Sequence, residues 1–132
     1  MDGSLINAIA LIAAVGLGLS AGALLAEGAV LVPFWRSLEP QEFLRWYAGN
    51  ASLLLRFFGP LEALPALVVV VAAAASFYAG APGGLPLAVA SVLAVGVLLT
   101  FPLYFKTANE SFASGTIETL SPVAMLVRLM VP

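Results

Sequence analysis

From Leu5 to Ala26 the chain runs 22 residues without a charge, and then Glu27 appears before the apolar residues resume. A helix of about 20 apolar residues is what crosses the roughly 30 Å core of a bilayer. The run therefore predicts a membrane-spanning helix with a carboxylate set inside it. The rest of the chain agrees. Of 132 residues, 62% are hydrophobic and 9% charged, against about 25% charged in a soluble domain. So apolar a chain cannot cover a water-facing surface, and we expect one integral membrane domain over 1–132, all α, with a lipid bilayer as its first partner.

Three spans are expected, at about 5–32, 51–79 and 85–105, forming most of an up-down bundle. The segment AGAPGG, residues 79–84, joins the last two as an uncharged Gly/Pro turn, which predicts a tight helical hairpin. A cleaved signal peptide is the weaker reading of the first span, because MDGS has no basic residue and the apolar run exceeds the usual 7–15 residues. Pro40 suits a first helical turn, and Phe43, Leu44, Trp46 and Tyr47 give the following residues an apolar face. A short interfacial helix is expected there, at about 40–50. Gly59-Pro60 and Pro65 should kink the second span. Residues 106–132 read as a cytoplasmic tail. Its apolar end, SPVAMLVRLMVP, spans only roughly 18 Å of helix, which suits an interfacial segment or the start of a fourth helix.

Orientation follows from the five basic residues. Arg36, Arg45 and Arg56 lie in or beside the first loop, and Lys106 and Arg128 follow the third span. Three crossings put all of them on one side. The positive-inside rule makes that side cytoplasmic and places the N-terminus outside, as in a multi-pass bacterial inner-membrane protein. Trp35, Trp46 and Tyr47 fall where an interfacial aromatic belt belongs on the same side.

The composition excludes several functions. With no Cys and no His there is no thiolate nucleophile, no Ser-His-Asp triad and no ordinary zinc or proximal-His haem site. No Gly-rich phosphate loop is present, so neither a metal nor a cofactor is expected. A net charge of −2 without a basic patch argues against nucleic acid.

Two ridges of small residues run along the first helix. Ala14, Gly18, Gly22 and Ala26 recur at spacing four and let a second helix approach closely, either a second copy of the chain or another helix of the same bundle. Beside them lie Gly16, Ser20, Ala23 and Glu27, which places Glu27 among small and weakly polar residues rather than leucines. An ionisable group inside a span costs about 2.5–3.5 kcal/mol on insertion scales and is by default a functional candidate. Glu62, between two prolines, is the second. By depth these two converge with Arg56, which either snorkels to the interface or pairs with a carboxylate, with Tyr104 at the end of the third span and with Asn109 just beyond it. A polar pocket in the cytoplasmic third of the bundle would result; a register-fixing network of buried ion pairs is the structural alternative. In the pocket reading, Glu27 or Glu62 serves as general base, and Arg56, Tyr104 and Asn109 bind.

The stretches EGAVLVPFWRSLEPQEFLRWY, LLLRFFGPLEA and FPLYFKTANESF, with the small-residue first helix, resemble a family of small four-helix membrane proteins of unknown function that includes anthrone-oxygenase-like proteins. The likeness covers most of Gly16–Ile117. It rests on the aromatic exit at Pro33–Trp35 and on the turn-out at Phe101–Asn109. It implies four helices, the last supplied here by another segment or replaced by a second copy in a homo-oligomer. It also implies oxidation of a polycyclic aromatic substrate. The residues themselves support a site for a small, largely apolar ligand. A proton- or cation-coupled transport component and a ligand-free partner subunit are the other classes.

Overall fold

The structure, a computed structural model, describes residues 2–100, and these are helical throughout except at their connections. Helix α1, Gly3–Ala26, begins where the Asp2 carboxylate accepts a hydrogen bond from the Ser4 N–H at 3.3 Å. It passes without a break into a π-helical turn, Glu27–Leu31, and then into helix α2, Val32–Ser37. The wide turn closes where the Val32 N–H reaches the Glu27 carbonyl. Pro33 gives it a physical reason. A proline has no N–H and its ring crowds the carbonyl four residues back, and a widened turn relieves that crowding. Such turns inside helices are frequent at functional sites.

The chain turns at Leu38 and Glu39, both extended. The residue before a proline is held out of the helical region, so Glu39 is placed by Pro40. Helix α3, Pro40–Tyr78, then starts on a capping box in which the Glu42 carboxylate accepts from the Glu39 N–H at 3.3 Å. The helix start expected at Pro40 is present. A separate interfacial helix over 40–50 is not, because α3 continues unbroken through Asn50 and Ser52. No breaker stands there, and the Asn50 amide donates to the Trp46 carbonyl at 2.8 Å, within the same helix. Pro60 and Pro65 both lie inside α3.

The turn read from AGAPGG ends α3 in a Schellman arrangement. Gly80 takes φ +61°, the Gly80 N–H donates to the Phe77 carbonyl, and the Ala81 N–H donates to the Ser76 carbonyl at 2.9 Å. Helix α4, Gly84–Thr100, follows and packs on α3. The Ser91 hydroxyl donates to the Val69 carbonyl at 3.2 Å, and Gly84 lies under the Phe77 ring. The last part of the third expected span, 101–105, and the tail 106–132 lie outside the described residues.

Helix α3 is the centre of the fold, with α1 and α4 both packed against it. Along most of the α1–α3 contact the buried residues are small, with Ala13 and Ser20 beside Ile6 on α1, and Ala66, Val69, Ala72, Ala73 and Ser76 on α3. The large aliphatic side chains point outward, among them Leu11, Ile12, Val15, Leu19, Leu64, Leu67 and Val92. Gly16 marks the closest crossing of α1 and α3. A Cβ placed on it would stand 3.1 Å from both Cβ and Cγ of Pro65. An aromatic cluster closes the other end of this pair. Trp35, Phe43, Leu44 and Tyr47 are buried together where α2 turns into α3, with Trp46 packed beside them.

Candidate functional site

Two helical surfaces make the site. The ridge of α1 that carries Gly16, Ser20, Ala23 and Glu27 faces α3, and the wide turn begins at Glu27 itself. On α3, Glu62 lies one turn before Pro65 on the face that meets α1. The Ser20 hydroxyl donates to Glu62 Oε2 at 2.6 Å, which ties the two helices together. Glu62 Oε1 is buried without a donor among the described residues.

Removing Ser20's hydroxyl should leave both oxygens of Glu62 without a partner. The expected cost of Ser20→Ala is about 1–3 kcal/mol, whereas replacing both groups with apolar ones should recover part of it. A double variant, Ser20→Ala with Glu62→Met, that unfolds no later than Ser20→Ala alone would show that this bond does not tie the helices.

Glu27 is half-buried and lies close enough to Glu62 for the two charges to repel. Among the described residues no cation pairs with its carboxylate, and the Tyr47 hydroxyl lies within range of its charge. It lines a cleft of about 530 Å³ between the wide turn and α3, with Leu31, Trp46, Asn50, Phe57 and Phe58 among the other walls. Among the described residues Glu27 is the one ionisable member of that lining. Asn50 adds the amide already fixed by its bond to the Trp46 carbonyl. Everything else in the walls is apolar or aromatic. The edge-to-face pairs Phe34–Trp46, at 5.6 Å, and Trp35–Trp46, at 5.7 Å, hold Trp46 in place at the mouth.

The expected convergence is thus met at two of its positions. Glu27 and Glu62 are neighbours, but they are not equivalent: Glu27 faces the cleft, and Glu62 sits in the helix interface outside its lining. Arg56 is exposed, does not line the cleft and, among the described residues, pairs with neither carboxylate. Tyr104 and Asn109 lie outside the described residues. Of the other ridge, Ala14, Gly18, Gly22 and Ala26 are all exposed, with open space where Cβ atoms on Gly18 and Gly22 would stand. The sequence reading did not single out Asn50 or the wide turn. Asn50 carried no signal beyond being a lone amide. Pro33, five residues from Gly28, was the available marker of the turn.

No family model, no curated protein and no solved structure matches the chain.

Proposed function

We propose that this is a multi-pass membrane protein that holds a small, largely apolar molecule in the cleft between the wide turn and α3. Two helical stretches, Gly3–Ser37 and Pro40–Tyr78, are long and apolar enough to cross a bilayer. The distribution of side chains supports that placement. A soluble bundle hides most of its leucines and valines, whereas here alanine and serine make up much of the α1–α3 contact and most of the large aliphatics face out, Ile6, Leu44 and Val69 being the buried exceptions. With the N-terminus outside, Arg36, Arg45 and Arg56 lie toward the cytoplasm. Glu27, eight residues from Trp35, then lies about 12 Å inside the aromatic belt.

The cleft itself carries the proposal: apolar and aromatic walls with one carboxylate and one amide turned into them. Ligand sites are commonly 300–1,000 Å³ and mostly apolar, with a few polar groups that fix orientation. In the anthrone-oxygenase-like version, Glu27 is the general base that takes an acidic proton from the substrate, because it lines the cleft and Glu62 does not. A proton-coupled transport component would use the same carboxylate.

Ala26 lines the cleft and is otherwise exposed, so Ala26→Phe should fill the cleft without disturbing the fold. Full-length protein in nanodiscs should transfer excitation energy from its tryptophans to a neutral polycyclic fluorophore beyond the level of empty discs. Ala26→Phe should weaken that binding about tenfold or more, the scale of losing one well-packed ring contact. Equal binding by the variant would place the ligand elsewhere.

A further inference from the structure

The cleft has a sign as well as a shape. Among the described residues its one ionisable lining residue is Glu27, and a second carboxylate, Glu62, stands behind it within range of its charge. Among the described residues no arginine joins the lining: Arg36, Arg45 and Arg56 are all exposed elsewhere. Asn50 commits an N–H to the Trp46 carbonyl and so offers its own oxygen as an acceptor. Three aromatic rings, those of Trp46, Phe57 and Phe58, complete the walls. Acceptors, unbalanced negative charge and ring faces are the chemistry that receives a positive centre. An unpaired carboxylate in an apolar surrounding is costly, and a bound opposite charge offsets that cost. An anion would meet the Glu27 carboxylate, with the charge of Glu62 behind it. A bare metal ion suits the site poorly, since among the described residues no three acidic side chains gather.

We propose that the occupant of the cleft is an amphipathic organic cation, an apolar body bearing an ammonium-like positive centre that pairs with Glu27. This deepens the ligand-binding reading above and rests on it. Selectivity then comes from charge, while the aromatic walls supply the affinity common to any apolar guest.

Tetraphenylphosphonium and tetraphenylborate test this directly, because they share one shape and differ in sign. Equilibrium dialysis against full-length protein in nanodiscs, corrected for empty discs, should show the cation held at least about tenfold more tightly than the anion. Glu27→Gln should remove that preference, and Glu27→Asp should keep part of it. Arg36→Gln, exposed and outside the lining, should leave both the neutral fluorophore's binding and the cation preference unchanged. Equal affinity for the two ions, or a preference that survives Glu27→Gln, would overturn the cation assignment while leaving the cleft as a site for neutral guests. If the neutral fluorophore also fails to bind the wild-type protein, the ligand-binding reading falls with it.

Discussion

Gly16→Leu should separate α1 from α3, whereas Gly18→Leu, two residues on, should not. Both substitutions replace a helical glycine with a good helix former, and each gains up to about 1 kcal/mol of intrinsic propensity. They differ in what the new side chain meets. At Gly16 a Cβ already stands 3.1 Å from two atoms of the Pro65 ring. That ring is buried and fixed to its own backbone, so it cannot turn aside as a long side chain would. The remaining atoms of leucine have no room unless the helices move apart, and overpacking of this kind costs about 1–3 kcal/mol, sometimes more. At Gly18 nothing lies within 4 Å. Unfolding in mixed detergent micelles should therefore place Gly16→Leu well below Gly18→Leu, and the shared propensity gain cancels from the difference. Movement of the helices should also stretch the Ser20–Glu62 hydrogen bond, so the loss extends into the carboxylate pair. Similar stabilities for the two variants would mean that α1 meets α3 on another face. If Gly18→Leu leaves the fold intact yet disperses an oligomer, the exposed ridge is a contact between copies, and the partner-subunit reading gains.

The same pair of positions shows what the sequence made legible and what it did not. Both small ridges of α1 are visible as periodic patterns, and nothing in the composition of either says which one packs. The decision belongs to the opposite helix. Pro65 presents a rigid ring, and the ridge carrying Gly16 accommodates it. Chain direction and turns were easier, because Pro40 and Gly80 act locally through restricted or permitted backbone angles. The helical character of the first two spans was likewise legible from their long apolar runs. The wide turn at Glu27 was not, since it leaves no periodic mark. Nor was the difference in role between the two carboxylates, which share a depth but occupy different faces. Arg56 shows the limit of depth as a guide. It lies six residues from Glu62, which turns it roughly a third of the way around the helix, and so it is exposed while Glu62 is not.

Trp35→Ala should be the most damaging single change among the described residues. Trp35 is only 4% exposed, where α2 turns into α3. Its ring meets Phe43 at 6.0 Å, Trp46 at 5.7 Å and Tyr47 at 5.9 Å between centroids. Removing it leaves a cavity among side chains that come from one stretch of α3 and cannot easily close over the gap. Large aromatic deletions in packed cores cost about 3–5 kcal/mol. The indole adds a way to tell packing from polarity. Its Nε1 is buried with no hydrogen-bond partner among the described residues, so the N–H contributes no bond that a substitution could remove. Trp35→Phe should therefore cost less than half as much as Trp35→Ala, the remainder being the volume of the second ring. The damage should also reach the cleft, because Trp46 lines it and is held partly by Trp35. Fluorophore binding should weaken in Trp35→Ala even under conditions where the variant is fully folded, and should largely return in Trp35→Phe. Equal losses of stability in the two variants would assign the role to the indole N–H rather than to the ring, and the aromatic cluster would not be what positions Trp46 against Glu27.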